Sequence, residues 1–131
     1  MSSHVIDDVD LPYEASKLIR KPNVGPEGYF SNDLRVGRII STHHYPEMKK
    51  ASYKIEVDFG PVGILRTSAQ ITNYSIEDLD GRRVVGAINI GHRVLPGGFV
   101  SEFLILGALL PDGRVKLLEV SDDVPLGSMV A

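Results

Sequence analysis

The clearest pattern along the chain is a strict alternation of apolar and charged residues between positions 53 and 59. Its two faces are Tyr53, Ile55, Val57 and Phe59 on one side and Lys54, Glu56 and Asp58 on the other. Because successive side chains of a β-strand point to opposite faces, this period of two predicts a strand with one buried face. A globular domain with a β-rich core is therefore expected around this segment.

The neighbouring segments predict two more strands. Gly60, Pro61 and Gly63 favour a turn, after which Ile64 to Ile71 alternates again and completes a hairpin. Its inward side chains are predicted to be Leu65, Thr67, Ala69 and Ile71, and its outward ones Arg66, Ser68 and Gln70. Upstream, Leu34 to His44 is predicted to be a long strand with a bulge or bend at Gly37.

Further elements follow the hairpin. Ser75 is a candidate N-cap and Gly81 a candidate stop for one or two helical turns. The later predicted strands are Arg82 to Ile90, Glu102 to Leu110 and Val115 to Val120, the last two joined by a turn at 111–113. The predicted order of elements is three strands, a short helix and then more strands, which is the order found in a five-stranded OB-fold barrel. We therefore predict an all-β OB-fold barrel with a short capping helix and extra C-terminal strands. Periodicity alone also allows a β-sandwich.

The first 31 residues differ from the rest of the chain. They hold prolines and glycines without sustained periodicity, so we predict an N-terminal extension (1–31) before the OB-fold domain (32–131). A short helix from Tyr13 to Arg20 is expected within it. Both a disordered arm and an arm packed on the barrel or a partner subunit remain open. The start of the chain does not resemble a signal peptide, and the longest apolar run, Phe103 to Leu110, is too short to cross a membrane. We expect a soluble, cytoplasmic protein.

Composition narrows the possible chemistry. The chain has 131 residues and no cysteine, which excludes disulfides, thiol nucleophiles and iron–sulfur clusters. His43 and His44 are adjacent on a strand and point to opposite faces, and His92 has no acidic partner at a ligand spacing, so no metal site is predicted. Ser101 lacks the glycine setting of a catalytic serine, and no phosphate-binding loop is present. We expect no enzyme activity, no cofactor and no small-molecule substrate.

A binding surface is the remaining prediction. OB barrels bind extended ligands through the outer face of their central strands and the adjoining loops. Outward side chains of the predicted strand at 64–71 and later polar residues are candidates, namely Arg66, Ser68, Gln70, Asn89, Arg93, Ser101 and Glu102. For Arg66 and Arg93, the alternative to ligand binding is that the side chains are simply exposed to solvent. The net charge is −3, and residues 32–118 hold 11 basic and 9 acidic side chains, a surplus of only two for binding phosphates.

Several motifs taken together resemble the tRNA-binding-domain superfamily, an OB module attached to several aminoacyl-tRNA synthetases and also found as free dimers. They are residues 33–39 (DLRVGRI), 68–72 (SAQIT), 79–84 (LDGRRV), Asn89 and 101–107 (SEFLILG). Within the superfamily, 53–61 (YKIEVDFGP) is most similar to the export-related chaperones of the CsaA type. This resemblance implies a cytoplasmic OB-fold homodimer that binds unfolded or precursor polypeptides. Ser68, Gln70, Asn89, Ser101 and Glu102 match its motif positions.

Two functional hypotheses follow, with a third left open. A chaperone would bind polypeptides through apolar residues on a glycine-flanked loop and the polar pair beside them, that is Leu95, Phe99, Val100, Ser101 and Glu102. A tRNA-binding module would use Arg66, Ser68, Gln70, Arg82, Arg83, Asn89, Arg93 and Ser101 on phosphates, sugars and bases. The third option is a dimeric OB protein with some other ligand. A homodimer is expected because a second subunit would cover the open edges of the barrel.

Overall fold

A computed structural model describes residues 20–131 of the chain. Its helices are α1 (Gly25–Phe30) and α2 (Ile76–Leu79), with short 3₁₀ turns at Gly60–Val62 and Pro96–Gly98. Its strands are β1 (Leu34–His44), β2 (Tyr53–Asp58), β3 (Ile64–Ala69), β4 (Arg83–Ala87), β5 (Arg93–Leu95), β6 (Phe99–Ser101), β7 (Leu104–Ile105), β8 (Gly107–Leu109) and β9 (Val115–Leu117). The predicted helix at 13–20 falls almost entirely outside the described residues.

The main sheet is a five-stranded antiparallel sheet in the order β3-β2-β1-β4-β7. Strands β3 and β7, at its two ends, come back into contact, so the sheet curls into a nearly closed barrel. Two small hairpins, β5–β6 and β8–β9, are added to it. The predicted all-β OB-type barrel with a short helix and extra C-terminal strands is confirmed.

The alternation in β2 has the predicted consequence. Ile55, Val57 and Phe59 are almost completely buried, while the charged residues between them are half-exposed. Helix α2 begins where predicted, because the Ser75 hydroxyl accepts a hydrogen bond from the Asp78 N–H (3.1 Å). This short helix places Leu79 in the core of the barrel. The hydrophobic core thus joins the strands and the helix in one cluster.

Strand β1 has its predicted bounds, but the predicted bend at Gly37 is wrong. The register with β2 shifts between Ile39 and Ser41. Gly37 is instead a point of close approach, because a Cβ there would lie 2.8 Å from the Phe59 ring. The glycine makes room for a core aromatic side chain rather than for a bulge.

The later strands are shorter than predicted. The expected single strand from Glu102 to Leu110 is two strands, β7 and β8, separated at Leu106. There the Leu106 N–H donates to the Val85 carbonyl (2.8 Å), and the Leu106 carbonyl accepts from Leu118 (3.4 Å). The chain therefore leaves one sheet and enters another at this residue. The predicted hairpin around 111–113 is confirmed as β8–β9.

The polypeptide before β1 is held at one point by Asn89. Its side chain accepts from the Asp33 N–H and donates to the Ser31 carbonyl, both at 2.8 Å. Helix α1, which the sequence pattern did not predict, ends just before this point. The division of the chain into an extension (1–31) and a domain (32–131) stays a prediction.

A C-terminal segment covers the free edge of the first half of β1. The Val36 N–H donates to the Ser128 carbonyl (2.9 Å), and the Val130 N–H donates to the Leu34 carbonyl (2.8 Å). Gly127 lies close to the chain at Phe59, and a Cβ there would meet the Phe59 carbonyl oxygen at 2.7 Å. Residues 126–130 thus complete the barrel wall where β2 has turned away.

Gly86 provides a test of core packing. A Cβ at this position would lie 2.8 Å from the Phe59 ring and 2.9 Å from the Phe103 ring, so Gly86→Ala overpacks the core. We expect it to lower the free energy of unfolding by about 1–3 kcal/mol in urea titrations. Ala108→Val, which adds volume at an exposed strand position, is the control and should change stability by less than about 0.5 kcal/mol. Equal stability of Gly86→Ala and the parent would contradict this packing.

Candidate ligand-binding surface

The β5–β6 hairpin forms the apolar part of the candidate site. Its tight turn contains Gly97 and Gly98, both with φ of +77°, a conformation that favours glycine. Arg93 pairs with Ser101 and Leu95 with Phe99, which places these four side chains on one face of the hairpin. The sequence predicted a loop here, and that prediction is wrong: the segment is a hairpin with two distinct faces.

Phe99 and the hairpin turn are anchored by Tyr45. The two rings meet edge to face with centroids 5.4 Å apart, a favourable arrangement for aromatic pairs. The Tyr45 hydroxyl also donates a hydrogen bond to the Pro96 carbonyl in the turn. Tyr45 itself is buried at the end of β1. Both contacts hold the hairpin against the barrel.

Two cations flank these rings. Lys54 Nζ lies 4.7 Å from the centroid of the Tyr45 ring and 5.5 Å from that of Phe99, and the Arg66 guanidinium carbon lies 5.5 Å from the Phe99 centroid. Such cation–π distances are favourable. Tyr45, Lys54, Arg66 and Phe99 are called the Phe99 cluster below. It presents apolar and positively charged groups side by side.

Glu102 and Ser101 connect the hairpin to β3. The backbone N–H of Arg66 donates a hydrogen bond to a carboxylate oxygen of Glu102 (2.9 Å), and the backbone N–H of Glu102 donates one to the backbone carbonyl of Arg66 (2.7 Å). Ser101 is only 4% exposed, and its hydroxyl lies 3.2 Å from that of Thr67. The structure therefore places both residues where they position the hairpin, next to the Phe99 cluster.

Ser68 and Gln70 fall at the end of β3. Ser68 is on the outer side of the barrel, opposite the outward-facing Lys54, as predicted. Its side chain is nevertheless only 6% exposed, because other residues cover this part of the outer face. Gln70 follows the end of β3 and is half-buried. Only Arg66 of the predicted outward set presents an exposed side chain.

Three of the predicted tRNA-binding residues, Arg82, Arg83 and Asn89, lie apart from the Phe99 cluster. Arg82 stacks over the Tyr74 ring at 4.8 Å, and Arg83 donates to the Val124 carbonyl (3.2 Å) at the start of β4. Strands β2 and β1 separate β4 from β3 on one side, and β7 does so on the other. Asn89 is engaged by the chain before β1. The structure thus divides the eight predicted residues among separate regions.

Sequence reasoning missed three contributors. Tyr45 and Lys54 were not among the candidates, although Lys54 and Arg66 both occupy outward positions of the predicted hairpin and could have been paired by their register. Val94, at the centre of β5, is 76% exposed, whereas Leu95, Phe99 and Val100 are half-buried. The most exposed apolar side chain of the hairpin is therefore one that the sequence did not single out.

Residues 20–131 contain no group of three or more His, Asp or Glu side chains that could hold a metal ion. His44 packs on the Tyr53 ring with centroids 5.6 Å apart. In the same part of the chain, no helix is long and apolar enough to span a membrane. The candidate surface is thus built from rings, cations and backbone groups.

Comparison with known proteins gives a consistent result. Residues 34–129 match the family described as "Putative tRNA binding domain". A methionine–tRNA ligase of Protochlamydia amoebophila is 32% identical over 117 residues, 89% of this chain, and the chain spans only 16% of that ligase. In two solved structures, the match spans the whole of the solved chain. The CsaA chaperone of Picrophilus torridus has a TM-score of 0.76 at 34% identity over 83% of this chain, and that of Bacillus anthracis 0.76 at 33% over 86%.

The Tyr45 hydroxyl predicts a pH dependence of stability. Burial raises the pKa of Tyr45 above its ordinary value of 10.0, and the nearby Glu47 carboxylate raises it further. The folded chain keeps this proton at a pH where the unfolded chain loses it, so the stabilisation is complete below about pH 10 and lost as pH rises through the folded pKa. Tyr45→Phe, which does not titrate, should unfold about 0.5–1.5 kcal/mol more easily at neutral pH.

We expect that difference between parent and Tyr45→Phe to shrink above about pH 10 in urea titrations. Tyr29→Phe removes a hydroxyl from an exposed tyrosine in α1 and is the matched control. A difference that stays constant through alkaline pH would contradict the assignment.

Proposed function

The chain belongs to the tRNA-binding-domain family, and its match to two CsaA chaperones spans the whole of their solved chains. From this we propose that it is a non-enzymatic chaperone for extended polypeptides. The observation that carries this proposal is the Phe99 cluster beside an exposed apolar hairpin. Its clients would be unfolded or precursor proteins, including precursors that await export, and its place of action the cytoplasm.

The chemistry of the hairpin supports a polypeptide ligand. Leu95 and Phe99 supply half-buried apolar surface on one face, and Val94 is largely exposed on the other. Lys54 and Arg66 lie against the ring of Phe99 and leave it flanked by positive charge. Apolar surface of this kind on a rigid element is typical of sites that bind other chains. Acidic and apolar side chains of a client would both find partners here.

A homodimer is part of this proposal. Helix α1 and the segment along β1 expose large apolar side chains, among them Val24, Phe30 and Met129. Burying such side chains between two copies would be favourable. The ligand surface on β5–β6 is formed from residues of one copy, so the proposed site does not depend on the dimer.

Phe99→Ala is the direct test of the chaperone proposal. It removes the ring that packs on Tyr45 and contacts the cations of Lys54 and Arg66. We therefore expect the protein to suppress the aggregation of heat-denatured citrate synthase several-fold less well in light-scattering assays. Phe30→Ala removes an equally aromatic but exposed side chain from α1 and should leave suppression unchanged. Circular dichroism and urea titration of both variants establish that the fold is retained. Unchanged suppression by folded Phe99→Ala would refute the assignment of this surface.

Binding of tRNA is a second candidate function, favoured by one observation besides the family match. The Arg66 guanidinium beside the Phe99 ring combines a cation with a flat aromatic group, a pairing that nucleic-acid sites use for phosphates and bases. The separation of Arg82, Arg83 and Asn89 from this point leaves few cations close together for a phosphate backbone. We therefore rank it below polypeptide binding.

Salt dependence tests the tRNA candidate. Each phosphate contact contributes about a threefold loss of affinity between about 50 and 200 mM salt, so a site centred on Arg66 should lose affinity for labelled total tRNA steeply. Arg66→Gln should reduce both affinity and salt slope, whereas Arg114→Gln, which alters an exposed arginine bound to Asp112, should not. Fluorescence anisotropy measures both quantities. Affinity that is independent of salt and of Arg66 would exclude this candidate.

A further inference from the structure

The outer edge of β5 is a free strand edge. Strand β5 pairs with β6 on one side, and β6 continues into Glu102, which pairs with Arg66 of β3. No strand of residues 20–131 pairs with the other side of β5. A free edge presents backbone N–H and C=O groups in alternation, which is the pattern that another strand recognises.

Two other edges of this small protein are covered. Strand β1 is covered by the segment 126–130, as described above. The edge of β9 is covered by side chains, since the Leu117 N–H donates to the Tyr74 hydroxyl (3.1 Å) and the Val115 carbonyl accepts from Asn73 (3.1 Å). Open edges invite unwanted pairing, and this protein closes these two with specific groups. The open edge of β5 contrasts with them.

The edge is also held in place before any ligand arrives. Tyr45 anchors the turn and the Phe99 ring, and Ser101 and Glu102 join β6 to β3. A strand that is already ordered loses little conformational entropy when another strand adds to it. Val94, at the middle of β5 and 76% exposed, offers an apolar side chain for a cross-strand contact.

We propose that an extended client segment adds to the free edge of β5 as a further β-strand, an inference that rests on the chaperone function proposed above. The backbone groups of β5 would supply most of the affinity without reading the client's sequence, and alternate side chains would supply preference. A client side chain opposite Val94 meets an apolar side chain. The client residues before and after it point to the opposite face, where Arg93 and Leu95 lie. Nucleic acid does not offer the alternating donors and acceptors that this edge requires.

Charge complementarity adds to this assignment. The side chain of Arg93 is half-buried, and its guanidinium nitrogen Nη1 is buried without a hydrogen-bond acceptor among the described residues, so the rest of the guanidinium is the part open to a client. A client carboxylate opposite Arg93 would face a cation. The preferred client segment is therefore an alternating one, with apolar and acidic side chains on opposite faces.

Backbone methylation of a probe peptide tests the strand addition. The probe is a fluorescein-labelled peptide of alternating Val and Thr with Glu at both ends, and its binding to the full chain is measured by anisotropy. A second version carries a methyl group on every Val and Thr nitrogen. Successive N–H groups of a strand point to opposite edges, so methylating both sets blocks whichever edge faces β5. We expect the methylated version to bind at least about tenfold more weakly than the parent peptide.

The possible outcomes separate this inference from the proposed function. Equal affinities of the fully methylated peptide and the parent peptide would overturn strand addition and leave the chaperone proposal standing. Failure of the parent peptide to bind would also overturn it if aggregation is still suppressed. Absence of both binding and suppression would refute the chaperone function itself.

A pair of valine substitutions supplies the protein side of the test. Val94→Asp places a charge at the centre of the edge and should weaken binding of the parent peptide at least about tenfold. Val62→Asp changes an exposed valine in the 3₁₀ turn Gly60–Val62, outside both the hairpin and the proposed dimer interface, and should leave binding unchanged. Equal binding by both variants would count against the edge. Conversion of a dimer to a monomer by Val94→Asp in sedimentation would show that a second copy occupies it, and would also overturn the proposal.

Discussion

The edge-to-face contact between Phe59 and Phe103 is the interaction on which the rest of the structure depends. Their ring centroids are 5.0 Å apart, and both side chains are almost fully buried. The rings lie where the end of β2 approaches the start of β7, so they join distant parts of the barrel wall. Gly37 and Gly86 leave the space that the rings occupy. A barrel this small can hold two large aromatic rings only if the strands around them lack side chains at these points.

The ligand surface follows from that core contact. The backbone carbonyl of Phe103 accepts a hydrogen bond from the Thr67 hydroxyl (2.7 Å), which also meets Ser101. The residue before Phe103 is Glu102, whose backbone and carboxylate both bind Arg66. One buried ring therefore sets the position of three consecutive residues, and these place the hairpin with Phe99 over the outer face. Packing inside the barrel and recognition outside it are coupled through a few bonds along one stretch of chain.

Local patterns predicted the elements that obey a simple period or a capping rule. The alternation around Val57 gave the central strand, and Ser75 gave the start of α2, because in both cases the signal lies within a few residues. Residues 91–101 gave no such signal: β5 and β6 have only three residues each and form through Phe99 packing on Tyr45, which is 54 positions away in the chain. The site was predictable only in part for the same reason. Phe99, Arg66 and Glu102 were identified, while Tyr45 and Val94 depend on tertiary contacts that one sequence does not display.

The pairing of residues 126–130 with the start of β1 has a consequence for how the chain folds. Strand β1 lies between β2 and β4, yet part of its edge pairs with a segment more than 90 positions later in the chain, as the bond from Val130 to Leu34 shows. Contacts of such long sequence separation slow folding, and they form late when a chain emerges gradually from the ribosome. During synthesis the barrel would remain incomplete, with an open seam beside Val36, until Val130 had been added. A protein proposed to protect unfinished chains would thus itself pass through a stage in which it needs protection.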